Sequence, residues 1–84
     1  MPMNNPPHPG EALREDVMPD LDMTAAELAK HLGYSLEQLS SVLSCRAPIT
    51  ADLAILLEAA GIGAAHIYLA EQSAYDLWQS RNRS

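Results

Sequence analysis

The side chains with the clearest chemical potential are the polar groups that run from Ser35 to Ser44. The amide of Gln38 can pair with an adenine edge, the carboxylate of Glu37 can accept a hydrogen bond from cytosine, and serine hydroxyls can bond to bases or phosphates. We expect Gln38 and Ser40 to contact bases, and Ser35 and Ser44 to contact phosphates. The expected DNA-binding residues are Ser35, Leu36, Glu37, Gln38, Ser40, Ser41, Ser44 and Arg46.

The histidines and carboxylates do not form a catalytic or metal-binding pattern. His8, His31 and His66 contain no pair at i, i+4, and Cys45 is the single cysteine, so neither a metal site nor a disulfide is expected. The carboxylates within residues 11–16 are expected to form a solvated acidic face without a nucleophile or base beside them. We therefore expect no enzyme activity, no metal and no cofactor.

The same residues have structural interpretations. We expect His8 at the start of a helix and His31 toward solvent. Cys45 is interpreted as a small residue at a helix end, and the alternative is a redox-sensitive thiol near Arg46.

Composition predicts one small domain with an acidic surface. The chain has 84 residues, 48% of them hydrophobic, which suits a single modest core over residues 8–80 with flexible ends at 1–7 and 81–84. The formal net charge of -6 argues against a broadly basic nucleic-acid coat and favours a basic protein partner. The sequence has no apolar run of membrane-spanning length, and Met1–Pro9 does not resemble a secretory signal, so we expect no membrane contact and a cytoplasmic location.

Apolar residues recur at intervals of three and four rather than two, which predicts an all-α domain of five helices. Pro9–Glu11 should begin the first helix, because proline suits the first helical position and an acidic residue suits the first turn. Pro19 should end this helix near Met18. The fifth helix is expected from about Ala64 towards Gln79.

Capping signals mark the helices in between. Thr24–Glu27 and Ser35–Gln38 have the pattern of capping boxes, and Thr50 is the expected N-cap of the fourth helix. Gly33 and Gly61 are the expected helix ends, because glycine readily adopts the left-handed conformation found there.

The second and third helices have the spacing of a helix-turn-helix unit. Ala29 is small enough for close helix approach, Gly33 permits a sharp turn, and Leu39 and Val42 can fill the interface. An ordinary helical hairpin obeys the same packing rules, so this pattern alone leaves both interpretations open.

Four segments resemble HigA-type antitoxins of the Xre/VapI helix-turn-helix group. They are Asn5–Glu15 with its His-Pro-Gly-Glu motif, Met23–Gly33, Pro48–Thr50 and Ala74–Trp78 with its Ala-Tyr-Asp-Leu-Trp motif. The segments occur in the family's order, so the resemblance covers residues 5–79.

This resemblance implies a five-helix, lambda-repressor-like domain that forms a homodimer. It also implies a type II toxin-antitoxin role, in which the chain neutralises a small basic, RelE-like ribonuclease toxin. The antitoxin, or its complex with the toxin, would bind operator DNA through the major groove and repress the shared operon.

The fifth helix has apolar residues beyond those that a small core needs. We interpret its aromatic residues Tyr68, Tyr75 and Trp78 as packing groups, and we expect a second apolar face of the helix to form a dimer interface. The expected interface residues are Ile67, Ala70, Ala74, Leu77 and Trp78.

The third helix departs from the family by its scarcity of positive charge. Ala25 stands where such motifs commonly have a phosphate-binding glutamine, and only Lys30, Arg46 and Arg14 are candidates for contact with a phosphate backbone. Fewer phosphate contacts weaken binding and make it less salt-dependent. Two alternatives to an antitoxin repressor therefore stay open: a transcriptional regulator without a toxin, and a protein-interaction module that has lost DNA binding.

Overall fold

The computed structural model describes residues 6–82, and the predictions for residues 1–5, 83 and 84 lie outside them. The described residues form five helices and no strand, which confirms the all-α fold class. The first helix, α1, joins the segments Pro9–Ala12, Leu13–Val17 and Met18–Leu21. The others are α2 (Ala25–Leu32), α3 (Leu36–Leu43), α4 (Ala51–Ala59) and α5 (Ala65–Arg81).

The predicted end of α1 near Met18 is wrong, because the helix continues past Pro19 to Leu21. Its middle segment, Leu13–Val17, is a π-helical turn, and the N–H of Met18 bonds to the carbonyl of Leu13 five residues earlier. The wider turn moves the preceding carbonyls away from the positions that the ring of Pro19 would strike in a regular α-helix. A proline can therefore follow this turn without ending the helix.

The helix starts follow the capping signals closely. Thr24 Oγ1 accepts from the N–H of Glu27 at 3.1 Å, and Glu27 Oε1 accepts from the N–H of Thr24 at 2.9 Å, which completes the predicted capping box. Ser35 caps α3 through the N–H of Gln38, but within residues 6–82 no bond returns from the Gln38 side chain. The second predicted capping box is therefore wrong, and Ser35 is a single cap.

The core is built mainly from leucines contributed by the first four helices. Leu13, Leu28, Leu39, Leu53 and Leu57 have no exposed surface. Burying each leucine side chain contributes roughly 1.5–3 kcal/mol, so these residues hold α1, α2, α3 and α4 together. α5 packs against α4 and extends two residues past its predicted end at Gln79.

No helix within residues 6–82 combines the length and the apolar character that a membrane crossing requires.

Candidate nucleic-acid interface

The turn between α2 and α3 has the geometry that the helix-turn-helix pattern predicts. Gly33 is left-handed, with φ of 68°, and the N–H of Tyr34 bonds back to the carbonyl of Ala29 at 2.9 Å. Ala29 is buried where the helices approach, and Leu39 and Val42 are buried on the inner face of α3. The opposite face of α3 is consequently turned outward.

The predicted DNA-binding residues share this outward face of α3 and the loop that follows it. Leu36, the first residue of α3, is 45% exposed although it is apolar. Ser41 alone among the set is half-buried. The exposed members are Ser35, Leu36, Glu37, Gln38, Ser40, Ser44 and Arg46.

Two serines on this face direct their hydroxyl hydrogens into their own helix. Ser41 donates to the carbonyl of Glu37 at 3.2 Å, and Ser44 donates to the carbonyl of Ser40 at 2.9 Å. In these rotamers the hydroxyls offer only lone pairs, whereas a phosphate oxygen needs a donor. A phosphate contact by Ser44 therefore requires its hydroxyl to rotate, while the Gln38 amide has no hydrogen bond among residues 6–82.

The loop after α3 holds Arg46 at the exit of the helix. Cys45 adopts the left-handed conformation with φ of 63°. The N–H groups of Arg46 and Ala47 both bond to the carbonyl of Ser41, at 2.9 and 3.2 Å. These bonds order a tight turn that places the backbone of Arg46 directly after the last turn of α3, and Arg46 is exposed.

α1 braces the back of α3 through two close contacts. The Arg14 guanidinium donates to the carbonyl of Leu43 at 2.8 Å, which satisfies one of the carbonyls left open at the helix C-terminus. A methyl group on Gly10 would overlap the carbonyl oxygen of Val42 and lie 2.8 Å from its carbon. Arg14, which was suggested as a phosphate contact, uses one guanidinium nitrogen for this bond, and its Nε lies 3.7 Å from Glu15, while its side chain is 44% exposed.

His8 caps α1, as the sequence predicted. It is 4% exposed, its Nδ1 accepts from the N–H of Gly10 at 2.9 Å, and its ring meets Tyr75 edge-to-face at 4.9 Å. Burial lowers the pKa of His8, against the opposing effects of a hydrogen bond to the Ala47 backbone and of the Asp76 and Glu11 carboxylates. The neutral imidazole is the form that can accept at Nδ1.

Gln72 is a structural polar residue that the sequence-based reasoning missed. It is 6% exposed, its Oε1 accepts from the N–H of Ile49 at 2.8 Å, and its Nε2 donates to Asp76 at 2.9 Å. It therefore ties the linker between α3 and α4 to α5. The available signal was its position four residues after Tyr68, which places both side chains on the inward face.

The outward face of α5 contains the predicted dimer residues. Ile67 and Leu77 are 50% and 52% exposed, Ala70 and Ala74 are exposed, and Trp78 is half-buried. These residues therefore lie opposite the part of α5 that packs on the core.

The aromatic side chains of α5 are not all on that outward face. Tyr68 is buried in the core of its own chain, where its hydroxyl donates to the carbonyl of Ile62 and burial raises its pKa. Tyr75 packs on His8. Tyr68 and Tyr75 therefore pack within the chain, and the packing role of Trp78 stays a prediction.

Two solved structures share this arrangement. The antitoxin GraA superposes with a TM-score of 0.90 and 31% identity, covering 96% of this chain and 87% of that chain. The Pseudomonas aeruginosa antitoxin HigA, solved with the higBA promoter, gives a TM-score of 0.84 and 32% identity over 89% of this chain and 82% of that chain. The chain belongs to the HigA family of antitoxins.

A curated relative agrees with this placement of the HigA-family chain. Virulence-associated protein I of Dichelobacter nodosus is 39% identical over 70 residues, which are 83% of this chain and 65% of that protein. The chain therefore spans slightly less than two thirds of that relative. No family model matches the chain. The resemblance inferred from the four sequence segments is confirmed.

Charge is unevenly distributed along this HigA-family chain. Residues 11–27 hold six of the eleven acidic residues and one of the five basic residues. That single cation is Arg14, which bonds to the end of α3. The outward face of α3 and its loop carry one acidic residue, Glu37, and one basic residue, Arg46. The candidate nucleic-acid interface is thus nearly neutral, and the negative charge is concentrated on α1 and the start of α2.

Proposed function

We propose that this chain is an antitoxin that neutralises a RelE-like ribonuclease toxin and binds its own operator as a dimeric autorepressor. The observation that carries the DNA-binding part is the outward polar face of α3, held rigidly against α1 within a fold shared with an antitoxin solved with its promoter. A helix presented in this way fits the width of the major groove.

The side chains on α3 support modest base specificity. Gln38 is exposed and can form a bidentate pair with adenine, and one good base contact of this kind contributes roughly 1–3 kcal/mol of discrimination. Ser40 is also exposed, on a different side of α3 because residues two apart in a helix do not share a face, and it is a second candidate for a base. Leu36 can contact a thymine methyl group, which gives its exposure a use.

Few cations are available for the phosphate backbone. Lys30 in the last turn of α2 and Arg46 after α3 are exposed basic residues near the interface. Arg14 is also exposed but already donates to the Leu43 carbonyl, so we assign the phosphate contacts to Lys30 and Arg46. With two such contacts from each protomer, the slope of log affinity against log salt should be about -4 for a dimer on B-DNA. This is a shallow dependence for a repressor.

Homodimerisation through α5 is part of the proposal. The outward face of this helix exposes Ile67 and Leu77, and small alanines between them permit close approach of a second helix. In an isologous contact, the outward face of α5 in one protomer would pack against the same face of α5 in the other. The dimer would have to space its two α3 helices by about 34 Å, one turn of DNA, to occupy successive major grooves.

Operator binding is tested by fluorescence anisotropy with a palindromic site from upstream of the chain's own gene. We expect Gln38→Ala to lower affinity about tenfold or more at low salt, because base contacts are lost. The matched control is Gln79→Ala, an exposed glutamine on α5, which should bind as the unchanged chain does. Absence of binding by the unchanged chain, with or without the product of the neighbouring gene, would refute the DNA-binding function.

The scarcity of basic residues favours a second candidate function, a protein-interaction module without DNA binding. This candidate also predicts a complex with the product of the neighbouring gene, so a complex does not separate the two. Affinity for operator DNA that falls with salt separates them, because the module predicts none. A regulator without a toxin predicts operator binding but no ribonuclease beside it.

A further inference from the structure

A cavity lies between the C-terminal end of α1 and the start of α2, away from the outward face of α3. Its volume is about 370 Å³, and its apolar wall is formed by Met18, Pro19 and Met23. Both methionines are half-buried, so part of each side chain lines the opening. Methionine adapts to differently shaped partners, which suits a surface that receives an apolar side chain.

The cavity is built by the two unusual turns of α1. The π turn at Leu13–Val17 carries the helix past Pro19, and Asp22 then ends it in the left-handed conformation with φ of 55°. The chain re-enters α2 only two residues later, through the Thr24 cap. This sharp reversal leaves the methionines on either side of it uncovered, and the neighbouring Leu21 is 40% exposed.

Two carboxylates, Asp22 and Glu27, line the cavity beside this apolar wall. Three more, Glu15, Asp16 and Asp20, are exposed elsewhere on α1 and add to the negative charge of this end of the chain. The guanidinium of Arg14 also lines the cavity, but it bonds to the carbonyl of Leu43. The surface therefore combines an apolar recess with a rim that is predominantly negative.

We propose that this acid-rimmed methionine cavity is the docking surface for a basic protein, which inserts an apolar side chain flanked by lysines or arginines. The sign of the rim selects this occupant. DNA would be repelled by the carboxylates, and a second copy of the same segment would meet its own charge. A basic protein gains electrostatic steering from the rim and apolar contact from the recess.

This inference rests on the proposed antitoxin function, because the basic protein that it concerns is the toxin. It adds the location of the contact and the kind of side chain that the toxin must present. The residues that line the docking surface belong to α1, to α2 and to the turn between them, and none of them belongs to α3.

The test uses calorimetric titration of the full chain with the basic protein encoded by the neighbouring gene. The variant Asp22→Asn/Glu27→Gln removes the two carboxylates that line the cavity; asparagine suits the left-handed conformation at position 22, and glutamine can replace glutamate in the capping box. We expect about a tenfold loss of affinity at 50 mM salt, which shrinks at 500 mM because salt screens exposed charges. The matched control, Asp52→Asn/Glu71→Gln, makes the same change of charge at exposed positions on α4 and α5 and should retain affinity within about twofold.

A second pair of variants examines the recess. Met18→Gln keeps the length of the side chain but makes it polar, and it should weaken the complex about tenfold, whereas Met18→Leu should weaken it less than threefold. Operator binding and the thermal midpoint of each variant, measured without the partner, show that the fold is intact. If Met18→Gln does not fold, the docking surface is tested by the double carboxylate variant and its control alone.

The outcomes separate this inference from the proposed function. If the unchanged chain does not bind the neighbouring gene product, the antitoxin function fails and the docking surface fails with it. If the unchanged chain binds but the rim variant and its control lose affinity equally, or not at all, the docking surface is overturned and the antitoxin function stands. Selective loss in the rim variant supports both.

Discussion

The two polar surfaces of this chain are organised in opposite ways. On α1 and the start of α2, six carboxylates outnumber the single cation Arg14, and two of them, Asp22 and Glu27, line an apolar recess. On α3, the polar groups are nearly neutral overall, and two of the serine hydroxyls are bonded within the helix. The negative charge of the first surface can attract a basic partner over a long range. The nearly neutral surface of α3 can recognise a partner only through short-range hydrogen bonds and apolar contacts. A net charge of -6 therefore does not argue against the proposed DNA-binding role of α3, because the candidate interface itself is nearly neutral.

Gly10 packs against the Val42 carbonyl where α1 meets α3, and disrupting this contact should have the largest effect. We expect Gly10→Ala to lower the free energy of unfolding by about 3 kcal/mol, because the added methyl group overlaps a backbone carbonyl that cannot move without shifting α3. The measurement is urea unfolding followed by circular dichroism.

Gly33→Ala is the matched control for this prediction. No atom lies within 4 Å of the methyl group that it adds, so only the left-handed backbone opposes it, at a cost of about 1–2 kcal/mol. Equal losses in the two variants would contradict the proposed close contact between α1 and α3.

Arg46 and Arg14 are expected to differ in role, and replacing them should have smaller effects than replacing Gly10. Arg46→Ala should reduce the magnitude of the operator salt slope by about 2 for a dimer, because one phosphate contact is lost from each protomer. Arg14→Ala should leave the slope unchanged and instead lower the free energy of unfolding by about 1 kcal/mol, because the Leu43 carbonyl loses its donor. Anisotropy at several salt concentrations and urea unfolding measure the two quantities. A reduced slope in Arg14→Ala would restore it as a phosphate contact.

The smallest expected effect is a pH dependence of stability from His8. Its pKa is lowered in the folded chain, so the unfolded chain binds a proton first, near the ordinary value of 6.5. The contribution of His8 is therefore fully present above about pH 6.5 and is lost as the pH falls through the lowered pKa of the folded state. Urea unfolding between pH 7.5 and 5 measures this loss.

Two asparagine variants isolate that contribution. His8→Asn retains a side-chain acceptor for the helix cap but does not titrate, so its stability should depend less on pH. His66→Asn, at an exposed histidine, should behave as the unchanged chain does. Identical pH profiles for the unchanged chain and His8→Asn would show that His8 is not responsible.

Local signals predicted the helix starts well, because capping depends on residues close in sequence. Thr24, Ser35 and Thr50 all cap the helices that they were expected to cap. The end of α1 was predicted incorrectly because proline is expected to end a helix only where the backbone before it is regular α-helix. The turn before Pro19 is instead a π turn. Nothing in the local sequence signals a π turn.

The candidate site was predictable in position but not in its bonding. Helical periodicity distinguished the outward residues of α3 from Leu39 and Val42, because burial follows the helix period. The hydrogen bond from Arg14 to Leu43 joins residues 29 apart in the sequence, and the bond from Ile49 to Gln72 joins residues 23 apart. Such contacts depend on how helices are placed against one another, so spacing within one helix does not reveal them.

Gln72 connects the linker after α3 to α5, whose opposite face is the proposed dimer interface. The separation and tilt of two recognition helices in a dimer would consequently be set on α5, while the preferred bases would be set on α3. Operator spacing and operator sequence would then be independent traits of this chain, each able to change through substitutions that leave the other intact.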